Sequence, residues 1–176
     1  MNNLIAFSGK KRSGKDTAAS VLTTELGYTR VAFADSIKQI LEDLNPIIDA
    51  DYSYRLMDVL AWYEYDWEML KARPEVRGLM QRLGVAVRQF DSEFWVNAAF
   101  NNVEPSSRIV VTDVRFPNEV GAILAKGGIV YRVVRPGLES IDSHISETAL
   151  DHLDLPVILN DGSVEDLYAK VRELAA

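Results

Sequence analysis

The sequence contains no cysteine. Disulfide bonds, thiolate catalysis and cysteine-ligated metal centres are therefore excluded. Histidine is also scarce, since His144 and His152 are the only two in the chain. Two histidines do not complete a typical zinc site without carboxylate ligands. Any chemistry must instead come from basic side chains, carboxylates, hydroxyls and backbone groups.

Long apolar runs are missing as well. No segment approaches the roughly 20 apolar residues of a membrane-spanning helix, and the N-terminus lacks a cationic stretch followed by a long apolar one. We therefore expect a soluble, cytoplasmic protein that does not bind membranes. The 176 residues match the size of one domain, and 48% hydrophobic with 26% charged residues is ordinary globular usage. This composition excludes disordered and fibrous classes.

Positive charge is in deficit, because 19 Lys and Arg stand against 26 Asp and Glu. The net charge of −7 argues against polymeric nucleic acid as a ligand, since its phosphates would be repelled. The acidic excess lies in residues 136–176, with nine acidic and two basic residues, whereas residues 1–135 contain seventeen of each. Four basic residues fall within positions 10–15. This distribution favours a small phosphorylated ligand.

Strand-like and helix-like segments alternate along the chain, a pattern typical of a parallel β-sheet covered by helices. The predicted fold class is α/β, with a five-stranded parallel sheet flanked by helices in a single domain over residues 1–176. Strands are predicted at 4–7, 28–34, 109–111, 129–134 and 156–159. Helices are predicted at 15–26, 37–44, from Pro117 to the Gly127-Gly128 pair, at 143–152 and from Ser163 onward.

Residues 45–105 are predicted to form a helical insertion. Apolar residues recur there at alternating spacings of four and three, which is the period of an amphipathic helix. They are Leu56, Leu60, Tyr63, Trp67 and Leu70, followed by Val76, Met80, Leu83, Val87 and Phe90.

Four aromatic residues in this region could suggest base stacking. Tyr63 and Trp67 lie on the apolar stripe, so packing explains them better than a ligand does. Trp62 and Tyr65 lie off the stripe, and both interpretations stay open for them.

Residues 9–15, GKKRSGK, fit the pattern G-x-x-x-x-G-K and predict a phosphate-binding loop between the first strand and the first helix. Glycines let backbone N–H groups converge on phosphate oxygens, and Lys15 neutralises the β and γ phosphates. The following helix adds its N-terminal dipole. Asp16 stands where the general pattern has Ser or Thr, so we expect it to contact Mg²⁺ directly or through water. Thr17 would then lie near the α-phosphate.

Polar residues follow each predicted strand, and ligands of open α/β sheets bind outside the carboxyl ends of the strands. Lone carboxylates among cations suit a Mg²⁺-phosphate substrate. Each residue also has a structural alternative, such as helix capping by Asp35 or a turn at Asp113, but their joint placement favours a site. The set comprises the loop at Gly9, Asp35 with Lys38, Asp113 with Arg115, Arg135, and Asn160-Asp161-Gly162.

These residues resemble those of the bacteriophage deoxynucleoside monophosphate kinases, a branch of the P-loop nucleotide kinases. The resemblance extends over nearly the whole chain, and the block at 112–119 is its most specific part. The matching blocks are Gly9–Thr17 with its GKDT ending, Phe33-Ala34-Asp35 with Lys38, Gln81-x-x-Gly84-x-x-x-Arg88 with Phe94-Trp95-Val96, TDVRFPNE at 112–119, His144-x-Ser146-Glu147, and Ile158-x-Asn160-Asp161-Gly162-Ser163.

The resemblance implies transfer of the γ-phosphoryl group of ATP to a deoxynucleoside 5′-monophosphate, with Mg²⁺ as the cofactor. It implies catalytic roles for Lys15, Arg88, Asp113 and Arg115, with Asp16 and Asp113 at the metal. The ATP phosphates would be held by Gly9, Lys10, Arg12, Ser13, Gly14, Lys15, Asp16 and Thr17. Asn160, Asp161 and Gly162 would lie beside the adenine, Asp35, Lys38, Gln81 and Arg88 would bind the acceptor, and Arg135 and His144 would belong to a lid near 136–150. A phage origin would place the enzyme in the host cytoplasm, and a homodimer is compatible with the family.

The acceptor phosphate is already anionic, so such a transfer depends on positioning and charge stabilisation rather than on a strong general base. A lid would exclude water and so prevent hydrolysis of ATP, although an ordinary connecting loop is the alternative for 136–150. Two other functions stay open. One is a kinase of the same fold acting on dephospho-coenzyme A or phosphomevalonate. The other is a nucleotide-binding switch, which leaves Arg88, Asp35 and the 113–115 block unexplained.

Overall fold

The computed structural model describes residues 3–101, 103–104, 106–138 and 144–175. The chain divides into two compact units, which we call the sheet unit (Met1–Phe33 with Val96–Ala176) and the helical unit (Ala34–Trp95). The elements in chain order are β1 (Leu4–Ser8), α1 (Lys15–Glu25), β2 (Thr29–Val31), α2 (Phe33–Leu44), β3 (Ile47–Asp49), β4 (Tyr54–Arg55), α3 (Leu56–Trp62), α4 (Trp67–Leu70), α5 (Pro74–Phe90), α6 (Phe94–Phe100), β5 (Ile109–Val114), α7 (Pro117–Ala125), β6 (Ile129–Val134), α8 (Ile145–Thr148), β7 (Val157–Leu159) and α9 (Val164–Ala175).

The sheet unit contains a five-stranded sheet in the order β2-β5-β1-β6-β7. All of its strand pairs are parallel; in the centre of the sheet, Ile5 of β1 is in register with Val110 of β5 and Ile129 of β6. This arrangement confirms the predicted fold class. The loop after β1 therefore lies at the carboxyl edge of the central strand.

Both faces of the sheet are buried, which explains why its strands are continuous apolar runs. Ile5 and Phe7 pack on one face in a cluster with residues of α1 and α9, including Val21 and Val171. The alternate residues of β1, Leu4 and Ala6, pack on the other face with residues of α7 and with Leu150 and Leu155. Every β1 residue is buried, so the strand that carries the loop is held from both sides.

Local signals set several helix ends as predicted. Pro117 occupies the first turn of α7, where its missing N–H costs nothing. Ser163 and Asp166 form the predicted capping box, because the Ser163 N–H donates to Asp166 Oδ2 at 2.8 Å and the Asp166 N–H donates to Ser163 Oγ at 3.2 Å. Gly27 follows the end of α1 with φ of 69°, as a C-terminal glycine should.

The helical unit has its own core, formed by the buried residues Leu41, Leu56, Val59, Leu60, Leu70, Val76 and Met80. The segment 56–70, whose apolar residues are spaced at helical intervals, contains two helices and not one. Helix α3 ends at Trp62, Glu64 and Tyr65 adopt positive φ values, and Asp66 caps the short α4 by accepting from the N–H groups of Glu68 and Met69. The antiparallel pair β3-β4 within the predicted helical region was also not predicted.

The predicted second strand is too long. Strand β2 ends at Val31, and α2 begins at Phe33, so Asp35 lies in the first turn of a helix and not at a strand end. The apolar run from 31 to 34 fits either type of structure, and Phe33, Ile37 and Leu41 already follow the helical spacing of four. A carboxylate in a first turn is favourable beside the helix dipole.

Within the described part of the chain, every helix is too short or too polar to cross a lipid bilayer.

Candidate functional site

The loop after β1 has the backbone of a phosphate-binding loop. Gly9 and Gly14 have φ values of 138° and 102°, and Arg12 between them adopts the left-handed conformation at 65°. A Cβ at Gly9 would lie 2.4 Å from the Val133 carbonyl oxygen, and one at Gly14 would lie 2.4 Å from Asn160 Nδ2. Both positions therefore require glycine for φ and for space.

The interior of this loop contains groups suited to an anion. Lys15 Nζ donates to the carbonyl oxygens of Gly9 and Lys10 at 2.8 and 2.9 Å, so the ammonium lies inside the turn. The Ser13 side chain is buried, and among the described residues its Oγ is a buried side-chain atom with no hydrogen-bond partner. A buried hydroxyl without a partner is costly unless a ligand satisfies it. A phosphate oxygen is the ligand that the neighbouring ammonium would select.

The pKa of Lys15 is lowered to about 8, chiefly by burial and in smaller part by the Arg115 guanidinium, while the carboxylates of Asp16, Glu147 and Asp113 act in the opposite direction. Desolvation disfavours the charged form of a lysine. A phosphate bound in the loop would favour that form, so the pKa of Lys15 would rise with the ligand in place.

Asp113 and Arg115 lie at the carboxyl end of β5. The strand runs to Val114 and not to 111 as predicted, so Asp113 lies within it and not after it. Asp113 Oδ1 accepts from the Phe33 N–H at 2.9 Å. Arg115 directly follows the strand, where Glu119 fixes the backbone by accepting from the N–H groups of Arg115 and Phe116 at 2.7 and 3.0 Å. Glu119 is therefore a buried carboxylate bound to the backbone, and the Arg115 side chain pairs with another residue.

The Arg115 guanidinium pairs with Glu147 of α8 and donates to the Ser146 carbonyl at 3.3 Å. Glu147 Oε2 also accepts from the Lys11 N–H at 3.2 Å, and the Glu147 carbonyl accepts from Lys10 Nζ at 2.6 Å. Lys10 further pairs with Asp151 at 2.8 Å. Segment 144–151 is thus bonded to the loop and to Arg115.

Two cavities of about 260 Å³ adjoin the loop. One is lined by Gly9, Lys10 and Ser13 together with Arg115 and Glu147, among others. The other is lined by Arg12 and by residues from Gly14 to Thr17, together with Asn160 and Gly162. Arg135, which follows β6, lines both cavities. The polar residues after β1, β5, β6 and β7 therefore converge as predicted.

The residues after β7 contact the loop from the second cavity. Asn160 Nδ2 donates to the Ser13 carbonyl at 2.9 Å, which fixes the turn before Gly14. Asp161 accepts from Lys170 at 2.7 Å, and this hydrogen bond lowers the pKa of Asp161. A Cβ at Gly162 would lie 2.5 Å from Asp166 Oδ2, so glycine lets the chain pass the capping box closely.

The predicted lid lies partly outside the described residues, because 139–143 are not among them. Arg135 is exposed. His144 caps α8 by accepting from the Ser146 N–H at 3.2 Å. The described part, 144–150, is an anchored segment, since Arg132 also donates to the Leu150 carbonyl at 2.6 Å.

The candidate acceptor residues belong to the helical unit. Lys38 Nζ donates to Asp35 Oδ1 at 2.9 Å within α2. Gln81 and Arg88 lie on α5, seven residues apart, so they share a face about 10 Å apart along the axis, and both are half-buried.

Comparison with known sequences places this arrangement in a family. The sequence model described as deoxynucleotide monophosphate kinase matches residues 3–69 and 67–171. The chain belongs to this family. The resemblance inferred from the motifs is confirmed, and the loop, Arg115 and Glu147 are thus features of a deoxynucleotide monophosphate kinase family member.

Relatives of this family member include the deoxynucleotide monophosphate kinase of Escherichia phage RB69, 43% identical over 241 aligned positions that cover 97% of this chain and 98% of the relative. That alignment is longer than the chain, so the relative holds residues that this chain lacks. The deoxynucleotide monophosphate kinase of Enterobacteria phage T4 is 36% identical over 126 residues, covering 67% of this chain and 49% of the relative. Among solved structures, the dephospho-CoA kinase from Campylobacter jejuni has a TM-score of 0.48 and 15% identity, covering 98% of this chain and 95% of that chain.

The donor set of this family member suits Mg²⁺. Among the described residues, no group of three or more His, Asp or Glu side chains gathers to hold a metal ion. Mg²⁺ commonly takes one or two carboxylates and completes its shell with water and substrate phosphates. Asp16 and Asp113 both act on the pKa of Lys15, which places two carboxylates near the loop ammonium. Two carboxylates beside a phosphate cradle are the donors that a Mg²⁺-nucleotide needs.

Sequence reasoning assigned no role to Glu147 or Asp151. Glu147 stood in a quoted block, but nothing local marked it, because its partners Lys11 and Arg115 are 136 and 32 residues away. A buried acid in a connecting segment cannot be distinguished by pattern from an exposed one. The sequence did contain one signal: four basic residues lie at 10–15 and the acidic excess lies after 136, so ion pairs between the two regions could have been expected.

Proposed function

We propose that this chain transfers the γ-phosphoryl group of ATP to a deoxynucleoside 5′-monophosphate and releases ADP and the diphosphate. The observation that carries the proposal is the phosphate loop, with Lys15 Nζ inside the turn and Ser13 Oγ buried without a partner among the described residues, in a chain of the deoxynucleotide monophosphate kinase family. The 43% identity to the phage RB69 enzyme over nearly both full lengths supports the same chemistry.

The ATP phosphates bind residues Gly9–Thr17 in this proposal. The amides around Gly14 and the N-terminus of α1 supply donors, and Lys15 supplies the charge. The adenine lies in the cavity lined by Asn160 and Gly162. The contact of Asn160 with the loop supports this placement, because the same residue would link the base side to the phosphates.

Asp16 and Asp113 hold Mg²⁺, directly or through water. When bound, the ion would neutralise part of the charge on the phosphate oxygens. The half-exposed Asp113 and the exposed Asp16 both have the hard oxygen donors that the ion prefers.

The acceptor monophosphate binds the helical unit. Arg88 binds its phosphate, and Asp35, Lys38 and Gln81 contact the rest of the molecule. The cation at the end of α5 suits a dianionic phosphate. Residues 45–105 would then be the acceptor-binding region, and residues near 136–150, with Arg135 and His144, would form the lid, whose described end at 144–150 stays anchored to the loop and to β6.

The chain's own contribution to the transfer is positioning and charge. An acceptor phosphate oxygen attacks the γ-phosphorus, the bond to the β-phosphate oxygen breaks, and Lys15 and Arg115 stabilise the charge on the transferring group. No side chain needs to remove a proton, because the attacking oxygen is already anionic.

A coupled assay of ADP release tests the proposal. Each deoxynucleoside monophosphate is offered in turn with ATP and Mg²⁺, with ATP alone as the control for hydrolysis. We expect ADP release above that control with at least one of them. Turnover only with dephospho-coenzyme A or phosphomevalonate would support the other kinase, and nucleotide binding without any ADP release would support the switch.

Two further expectations concern the place where the enzyme acts and its oligomeric state. Because the named relatives come from phages, we propose the host cytoplasm as the place of action. A homodimer stays a prediction, which the mass measured by light scattering would test.

A further inference from the structure

Glu147 is a carboxylate buried beside the phosphate loop. Its side chain is 2% exposed, whereas the Arg115 side chain that it pairs with is 28% exposed. Burying a charge is costly unless the group is paired and hydrogen-bonded. Its two oxygens have separate partners, since Oε1 contacts Arg115 Nη1 and Oε2 accepts from the Lys11 N–H at 3.2 Å.

These partners belong to two different parts of the site. Lys11 lies in the loop that follows β1, and Arg115 follows β5, the neighbouring strand. The Glu147 carbonyl adds a third contact by accepting from Lys10 Nζ at 2.6 Å. One residue of α8 therefore connects the loop to the cation at the next strand end, and both line the same cavity.

We propose that Glu147 is a positioning residue, which holds the Arg115 guanidinium and the Lys10–Lys11 corner of the loop at one phosphoryl group. This inference rests on the proposed function, because it assigns Arg115 to the transferring group. Glu147 does not contact substrate in this proposal. It acts through Arg115.

The physical reason is the freedom of an arginine side chain. A long arginine side chain loses rotamer entropy when it is fixed, and a guanidinium misplaced by about 1 Å stabilises the transition state poorly. A carboxylate already paired to the guanidinium fixes it before substrate arrives. Asp151 is a weaker anchor, because its side chain is 57% exposed and pairs with Lys10 in solvent.

Glu147→Gln is the main test, because it removes the charge and keeps an oxygen that can accept from the Lys11 N–H. We expect kcat to fall about 10- to 100-fold while the KM for ATP changes less than about threefold. Glu25→Gln is the matched control, since Glu25 also pairs with an arginine, Arg172, but on the exposed surface of α1 and α9. We expect its kcat to equal that of the wild type.

A double-mutant cycle with Arg115→Gln decides whether Glu147 acts through Arg115. In the Arg115→Gln background, Glu147→Gln should lower kcat by less than about twofold. A wild-type kcat for Glu147→Gln, or effects of the two substitutions that simply multiply, would overturn the inference. If Glu147→Gln does not fold, Glu147→Asp enters the same cycle, because it keeps the charge and shortens the side chain by one methylene.

The rate of ADP release by the wild type distinguishes a failure of this inference from a failure of the proposed function. If the wild type releases ADP with a deoxynucleoside monophosphate but the cycle is multiplicative, only the role of Glu147 fails. If the wild type shows no transfer, the proposed function fails, and the role of Glu147 fails with it because there is no transferring group for Arg115 to stabilise.

Discussion

The sheet unit and the helical unit hold their candidate site residues in different ways. In the sheet unit, contacts join residues that are far apart in sequence, such as Lys11 with Glu147 and Asn160 with Ser13, 136 and 147 residues apart. In the helical unit, Lys38 donates to Asp35 three residues earlier, and Gln81 and Arg88 lie on one face of α5. The groups proposed to act on the transferring phosphoryl are thus held by hydrogen bonds between residues distant in sequence. The groups proposed for the acceptor are positioned by the geometry of the helices that carry them.

This difference matches what each part has to do. Charge stabilisation depends on donors fixed before the reaction, since any reorganisation lowers the rate. A phosphate-binding arginine also needs the right geometry, which the helix that carries Arg88 helps to set.

Lys15→Ala should have the largest effect. It removes the ammonium from the loop, and we expect kcat/KM to fall by about 10³-fold, which corresponds to roughly 4 kcal/mol of transition-state stabilisation. Lys126→Ala is the control, because Lys126 is an exposed lysine of the same unit. Steady-state ADP release measures both variants, and a fall of less than tenfold for Lys15→Ala would contradict the role of the loop.

Arg88→Ala should act on the acceptor alone. Loss of one charge-assisted contact to a phosphate is expected to raise the KM for the monophosphate by about 10- to 100-fold. The KM for ATP should change less than about twofold. Arg82→Ala, an exposed arginine of the same helix, should leave both constants unchanged. An equal rise in both KM values for Arg88→Ala would place Arg88 outside the acceptor site.

The difference between local and long-range contacts also explains which features could be predicted from the sequence. The alternation of strands and helices, the glycine-rich loop and the Ser163–Asp166 box are local patterns. The structure has the loop and the box where expected, and the alternation with a shorter second strand. The polar residues after β1, β5, β6 and β7 follow from a general rule about parallel sheets. Their convergence could therefore be predicted without knowing a single contact.

Long-range pairing could not be predicted in this way. Nothing in the sequence near Glu147 distinguishes a buried ion pair from a surface one. The break between α3 and α4 was missed because Glu64 and Tyr65 take positive φ values that only glycine or asparagine would have signalled. The end of β2 was missed because a short apolar run fits a strand and a helix equally well.

The buried ammonium should also cost stability. The pKa of Lys15 falls from its ordinary 10.5 to about 8 in the folded chain, chiefly through burial. Between these values the unfolded chain binds more protons, so the free energy of unfolding rises with pH. Lys15→Met removes this dependence. Relative to that variant, the wild type should gain about 2 kcal/mol from pH 7 to pH 9.5.

Urea denaturation of both proteins at the two pH values, with EDTA present and no nucleotide, measures the difference. A constant difference between wild type and variant would mean that the folded chain does not lower the pKa of Lys15. Added ADP should reduce the pH dependence, since a phosphate beside the ammonium favours its charged form.

The smallest effects concern the tryptophans of the helical unit. Trp67 packs on its core, and its Nε1–H donates to Glu42 Oε1 at 2.7 Å, whereas Trp62 is 57% exposed and contacts Tyr54 edge-to-face. This confirms that Trp67 faces the core. Trp67→Phe should lower the free energy of unfolding by about 1 kcal/mol through the lost hydrogen bond, and Trp62→Phe by less than about 0.5 kcal/mol. If Trp62→Phe instead left stability unchanged but raised the KM for the monophosphate, Trp62 would belong to the acceptor site, and side chains outside the regular helix faces would also position the acceptor.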